Sequence, residues 1–197
     1  MAFRLNGKMI MVWFIAFIML GSTLGYVFLS GFVDFNQDTL QYNGHSFSRD
    51  AKGLKTEIAG RQYYFTYAPL ETKDVPMDAA VIQHLKEARV IYFTSMYNST
   101  NNQLVASAEY DLNYFLSGNL NKIIVVGFAD NNLSIIAPHI ACSNATEFLP
   151  VVFFEDANAT EIKMEGNCIR ARAEKGEDFL IEKDRLLYGI LGITDEQ

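Results

Sequence analysis

Short catalytic signatures are missing from this chain. It has no G-x-S-x-G elbow, no G-x-x-x-x-G-K-[ST] loop, no H-E-x-x-H pair, no C-x-x-C pair and no G-x-G-x-x-G turn. The enzyme classes defined by those motifs are therefore excluded as readings. Triads and carboxylate pairs assembled from distant positions leave no such trace, so activity stays open, with no catalytic residue and no cofactor assigned. Basic residues are scarce, 16 against 23 acidic. That balance argues against nucleic acid and against anionic lipid headgroups as partners. Cysteine is limited to Cys142 and Cys168, and His45, His84 and His139 show no ligand spacing with them. No metal site is expected. Repeats, low-complexity tracts and interior linkers are absent too, while 10 Tyr and 15 Phe exclude disorder.

Charge itself is absent between Lys8 and Asp34. The run over residues 9–33 is long enough, as a helix, to cross the roughly 30 Å hydrocarbon core of a bilayer. Arg4 and Lys8 precede it, and Asp34 and Asp38 follow. The positive-inside bias then makes residues 1–8 a cytoplasmic tail and residues 34–197 an extracytoplasmic domain, with the bilayer as partner of residues 9–33. A cleaved signal peptide is the competing reading, with small residues at Gly21, Ser22 and Gly25. Against it, Tyr26–Leu29 extends the apolar run beyond the usual h-region and no A-x-A site follows. Gly21 and Gly25 form a G-x-x-x-G pair that would let a second membrane helix approach closely, in self-association or beside another membrane protein.

Beyond residue 33 the chain holds 14 basic residues and all 23 acidic ones, in a length suited to one domain. An even cysteine count in an oxidising compartment predicts a Cys142–Cys168 disulfide closing a loop of about 27 residues. Sequons at Asn98, Asn132, Asn144 and Asn158 all fall on the outward side and beside turn-like segments, as glycan acceptors must.

The pattern predicts a mixed α/β fold. Asn43-Gly44 between alternating segments is a strong hairpin signal, since both residues tolerate the positive φ of a type I′ turn. Further turns at residues 50–53 and Ala59-Gly60 complete an antiparallel meander, ending in an aromatic strand over residues 61–67. Asp78 is placed as N-cap of a helix over residues 79–87. A strand over 89–94, a helix over 103–116 with Leu104, Ala108 and Leu112 inward, and a strand over 122–128 follow. Strand, helix, strand, helix, strand reads as parallel βαβαβ units covered on both faces. The apolar run 149–154, a hairpin turning at Glu165-Gly166, and a helix over 177–191 stopped by Gly192 close the domain.

In open α/β sheets ligands favour loops at the carboxyl ends of parallel strands. Those loops would supply Asp74, Asp130 and Asn131 as binding candidates, oxygen donors that also suit a hard cation. Solvated turn residues account for the same letters more simply. The bare anchor, the Tyr-Asn-Gly hairpin, the Tyr-Tyr-Phe-x-Tyr strand, the Asn-x-Thr sites and the Gly-Asn-Cys-Ile strand before Asp-Arg-Leu-Leu-Tyr-Gly-Ile-Leu-Gly-Ile resemble small single-pass surface proteins of archaea. The resemblance implies outward orientation and glycosylation, and carries no functional residue. The expectation is a membrane-anchored, glycosylated cell-surface interaction or assembly module. The alternative is an extracytoplasmic binding protein or enzyme that uses the strand-end loops.

Overall fold

The computed structural model describes residues 11, 13–19, 21, 39–130 and 136–194. The chain divides into two compact units, residues 1–38 and 39–197. In the first, the described residues are helical, and Met11, Trp13, Phe14, Ile15, Phe17 and Ile18 are all exposed. Among the described residues no helix is long and apolar enough to cross a membrane. Most of the anchor expected over residues 9–33, Gly25 included, lies outside the described residues. Gly21 is helical, with open space where a Cβ would stand.

The second unit opens with the antiparallel meander. Strands β1 (Leu40–Tyr42), β2 (His45–Asp50), β3 (Gly53–Ile58) and β4 (Arg61–Phe65) form a four-stranded sheet in that order. Asn43 and Gly44 both take positive φ at the first turn, the geometry that Asn-Gly favours. The turn into β4 has the same two signs but puts Ala59 at φ 50°, where its Cβ crowds the backbone. The aromatic strand ends at Phe65, earlier than its pattern predicts. The next two amides, of Thr66 and Tyr67, donate instead to the Asp184 carboxylate, each at 2.8 Å.

A single turn, α1 (Pro69–Thr72), and helix α2 (Ala79–Glu87) lead to a second, mixed sheet. Asp78 stands at the N-cap position of α2, but its carboxylate accepts the Met164 amide at 2.8 Å and bonds none of the helix amides. Strands β5 (Val90–Ser95), β6 (Ile123–Phe128), β7 (Val151–Asp156), β8 (Glu161–Glu165) and β9 (Cys168–Ala173) lie in the order β6-β5-β7-β9-β8. All pairings are parallel except β8 with β9. The expected βαβαβ run is realised as one crossover, β5, α3 (Asn102–Leu120), β6. The strand before α2 is β4, which pairs with β3 in the other sheet, so α2 bridges two sheets.

Cover on the two faces of this sheet also differs from the expectation. Ile91, Phe93, Val152, Phe154, Ile169 and Ala171 point to a core shared with α2, α3 and the last helix, α4 (Asp178–Leu191). Gly192 stops α4 at φ 72°, with the Ile193 amide donating to the Tyr188 carbonyl at 2.9 Å in a Schellman arrangement that buries Ile193. On the opposite face, Tyr92, Val125, Val151 and Phe153 are covered by irregular chain around Ile140 and Ala145. That cover is pinned by the disulfide from Cys142 to Cys168 at the start of β9, with Cα atoms 5.2 Å apart. It approaches β6 so closely that a Cβ on Gly127 would strike the Pro138 carbonyl and the Ile140 side chain. The rest of the face carries charge. Arg170 and Arg172 pair with Glu155, Glu161 and Glu165 across β7, β9 and β8.

Candidate functional site

Four consecutive charged residues, Glu182, Lys183, Asp184 and Arg185, form one turn of α4, and all four are buried, at 0, 2, 0 and 7% exposure. Such a turn would ordinarily lie on a solvent face, because an unpaired buried charge is costly. Here the helix is surrounded, and successive side chains diverge by about 100° into four environments.

Lys183 and Asp184 are paired. The Lys183 ammonium stands 2.9 Å from the Asp184 carboxylate and 3.2 Å from that of Asp111 on α3, and donates to the Thr66 hydroxyl at 3.1 Å. Burial pushes the Asp184 carboxyl up to about 6, against the pull of Lys183 and the two backbone amides. One turn on, the Tyr188 hydroxyl donates to the Tyr67 carbonyl at 2.6 Å, and its ring stacks on Phe65 at 4.3 Å. Asp184 and Tyr188 thus take both backbone groups of Tyr67 and lock α4 to the end of the meander.

Above Lys183 opens a groove of about 710 Å³ between β4 and α3. Tyr110 and Tyr114 stand on α3 four residues apart, 68 and 72% exposed, and Tyr63, Tyr64 and Phe115 complete an aromatic lining. Five successive residues, Gln62 to Thr66, line the groove. The β2–β3 turn, Arg49 to Gly53, lines it as well, so the groove also reaches the side on which β4 pairs with β3. β4 is an edge strand of its sheet, with no strand paired on its far side among the described residues.

On another side of α4, Arg185 walls a pocket of about 460 Å³ with Tyr42, Lys73, Asp74 and Thr194. Its Nε has no hydrogen-bond partner among the described residues, nor does the buried Thr194 hydroxyl. Burial pushes the guanidinium below its ordinary value, only partly offset by Tyr42. Glu182 is different again. Neither of its oxygens finds a partner among the described residues, and burial, reinforced by Asp178 and Glu161, raises it to about 9. It is therefore a neutral acid at pH 7. On α3, burial raises Glu109 to about 7 despite the nearby Ser95 hydroxyl.

Of the residues singled out by sequence, Asp74 lines the Arg185 pocket. Asp130 accepts the Tyr97 amide at 2.9 Å and so links two strand-end loops. Asn131 lies outside the described residues. The remaining strand-end polar groups close on one another: the Ser99 hydroxyl and the Asn101 amide both donate to Asp156, at 2.7 and 2.6 Å. Asn98, Asn144 and Asn158 are exposed, and Asn132 lies outside the described residues. Among the described residues no three His, Cys, Asp or Glu side chains gather as a metal site. Sequence reasoning passed over the groove, although Tyr110 and Tyr114, four apart and opposite the inward Leu112, were a readable signal. No family model matches this chain, nor does any curated protein or solved structure.

Proposed function

We propose that this chain is a single-pass, membrane-anchored interaction module that binds an extended segment of a partner protein in the groove between β4 and α3. Residues 9–33 cross the bilayer, residues 1–8 are cytoplasmic, and the domain stands outside, glycosylated at its sequons. The observation that carries the binding reading is the run Gln62–Thr66, at and just beyond an edge strand, lining one groove with the exposed Tyr110 and Tyr114. An extended peptide would continue the meander as a fifth strand through backbone hydrogen bonds, while tyrosine rings grip its side chains. Lys183 in the floor is already neutralised by Asp111 and Asp184, so recognition rests on stacking and backbone pairing rather than on net charge. The apolar, outward-facing side chains of the N-terminal helical residues support the anchor.

The test is site-specific photocrosslinking of the full chain in its own membranes, with a photoreactive phenylalanine analogue at position 114. The expected result is a discrete adduct that Tyr110→Ala strongly reduces, and that the same analogue at the exposed position 83 on α2 does not give. Equal adducts from positions 114 and 83, or an adduct indifferent to Tyr110→Ala, would overturn the assignment.

A further inference from the structure

Among the described residues Arg185 is a buried cation that no carboxylate pairs with, and its surroundings suggest what would supply a counter-charge. It is 7% exposed, and among the described residues its Nε has no hydrogen-bond partner and no carboxylate pairs with it. Glu182 precedes it by one helical turn and makes no bond to it. The guanidinium instead walls a pocket of about 460 Å³, far more space than a water or a methyl group fills. The other polar groups around that space are mostly donors. Thr194 contributes a buried hydroxyl that is also unpartnered, Tyr42 a phenol close enough to act on the guanidinium, and Lys73 an ammonium at the exposed rim. Among the described residues Asp74 is the one acidic member, and it too stands at the exposed rim, beside Lys73. An uncompensated buried guanidinium is costly, and a planar fork of N–H donors matches a carboxylate or phosphate in bidentate fashion.

From this geometry we infer that the pocket between α4 and the segment joining α1 to α2 binds a small ligand through a phosphate or carboxylate group. Arg185 is its principal recognition residue, Thr194 and Tyr42 supply neutral hydrogen bonds, and Lys73 adds charge at the entrance. The site is distinct from the tyrosine groove: the two linings share no residue. Its volume accommodates a small molecule around the anionic group.

Calorimetric titration of the full chain in a phosphate-free, uncharged detergent tests this, with inorganic phosphate and acetate as probes and chloride at matched ionic strength as reference. The expected result is saturable binding of at least one oxyanion with Kd below about 1 mM. Lys73→Ala should weaken it about tenfold, Arg185→Met should abolish it, and Asp74→Asn should leave it unchanged or tighter. Lys52→Ala, in the lining of the groove, should leave affinity as it is. Phosphate binding alone identifies a phosphate group as the recognised element, and acetate binding alone a carboxylate. Should Arg185→Met fail to fold, Thr194→Val and Lys73→Ala must each weaken binding. No binding of either oxyanion, or binding that survives both Lys73→Ala and Thr194→Val, overturns the site. So does loss of binding in Asp74→Asn, which would show that Asp74 positions Arg185 as its ion-pair partner.

Discussion

Lys183 and Arg185 are two residues apart on one helix, carry the same charge and are almost equally buried, yet their surroundings have little in common. Around Lys183 two carboxylates and a hydroxyl converge, and the aromatic groove above it opens over a charge already balanced. Around Arg185 the described polar groups are mostly donors, and Asp74, the described acid in the cavity lining, stands at the exposed rim. The contrast teaches that burial of a cation says little by itself. What its neighbours can accept decides whether it holds the fold together or waits for something to hold.

Replacing each cation by methionine is the most direct way to break that contrast. Lys183→Met leaves Asp184 buried without its cation, and breaking a buried pair from one side costs about 3 to 5 kcal/mol. Urea denaturation should register a loss of that order. A loss below about 1 kcal/mol would show that the two backbone amides alone sustain Asp184.

Glu182 belongs to neither flank, and it sharpens the comparison through pH. Its folded value of about 9 and that of Glu109, about 7, lie above the ordinary 4.5 because burial favours the neutral acid. The folded state therefore binds more protons than the unfolded chain across this range. The resulting stability is fully present below about pH 4.5 and is lost as pH rises first through 7 and then through 9. Urea midpoints should fall steadily from pH 5 to pH 9, and Glu182→Gln should flatten the upper part of the slope. A slope in Glu182→Gln identical to that of the wild type would assign the effect to other groups.

Arg185→Met should have a much smaller effect, and of opposite sign to that of Lys183→Met. It removes a desolvated charge that has no ion-pair partner among the described residues, so stability in anion-free buffer should hold or rise by about 1 kcal/mol. A loss matching that of Lys183→Met would erase the distinction between the flanks.

The smallest change concerns the turn that leads into β4. Ala59→Gly relieves a left-handed alanine at the β3–β4 turn, for a net gain of about 0.5 kcal/mol once the entropy of glycine is set against it. Thermal unfolding followed by circular dichroism should show a small upward shift, with anion affinity at the Arg185 pocket unchanged.

Much of the meander was legible because Asn43-Gly44 and Ala59-Gly60 mark turns through backbone conformation, a local property. Gly192 and the cysteine pair were legible for similar reasons: one is local, and the other was the single available pairing. Sheet membership was not. The pattern of β4 is compatible with either sheet, and its pairing with β3 is decided by the short turn between them. The two pockets were illegible for a deeper reason. Glu-Lys-Asp-Arg in a helix reads as a solvated turn, whereas its Lys-Asp half is held by Asp111, more than 70 residues away, and by Thr66 and Tyr67. Asp74 was picked out for a strand-end loop, whereas the structure sets it beside Arg185.

The mixed sheet has two unlike margins. At β8 the outer row consists of Glu161, Lys163 and Glu165, whose charges are tied to Arg172 or to one another, and another strand arriving there would have to strip water from them. At β6 the side chains of Ile123 and Val126 stand in solvent beside a six-residue parallel pairing with β5. That margin is closed at its far end, where the Phe128 amide donates to the Pro138 carbonyl and the Phe128 carbonyl accepts the Ile140 amide, so covering chain guards one margin of the sheet as charge guards the other.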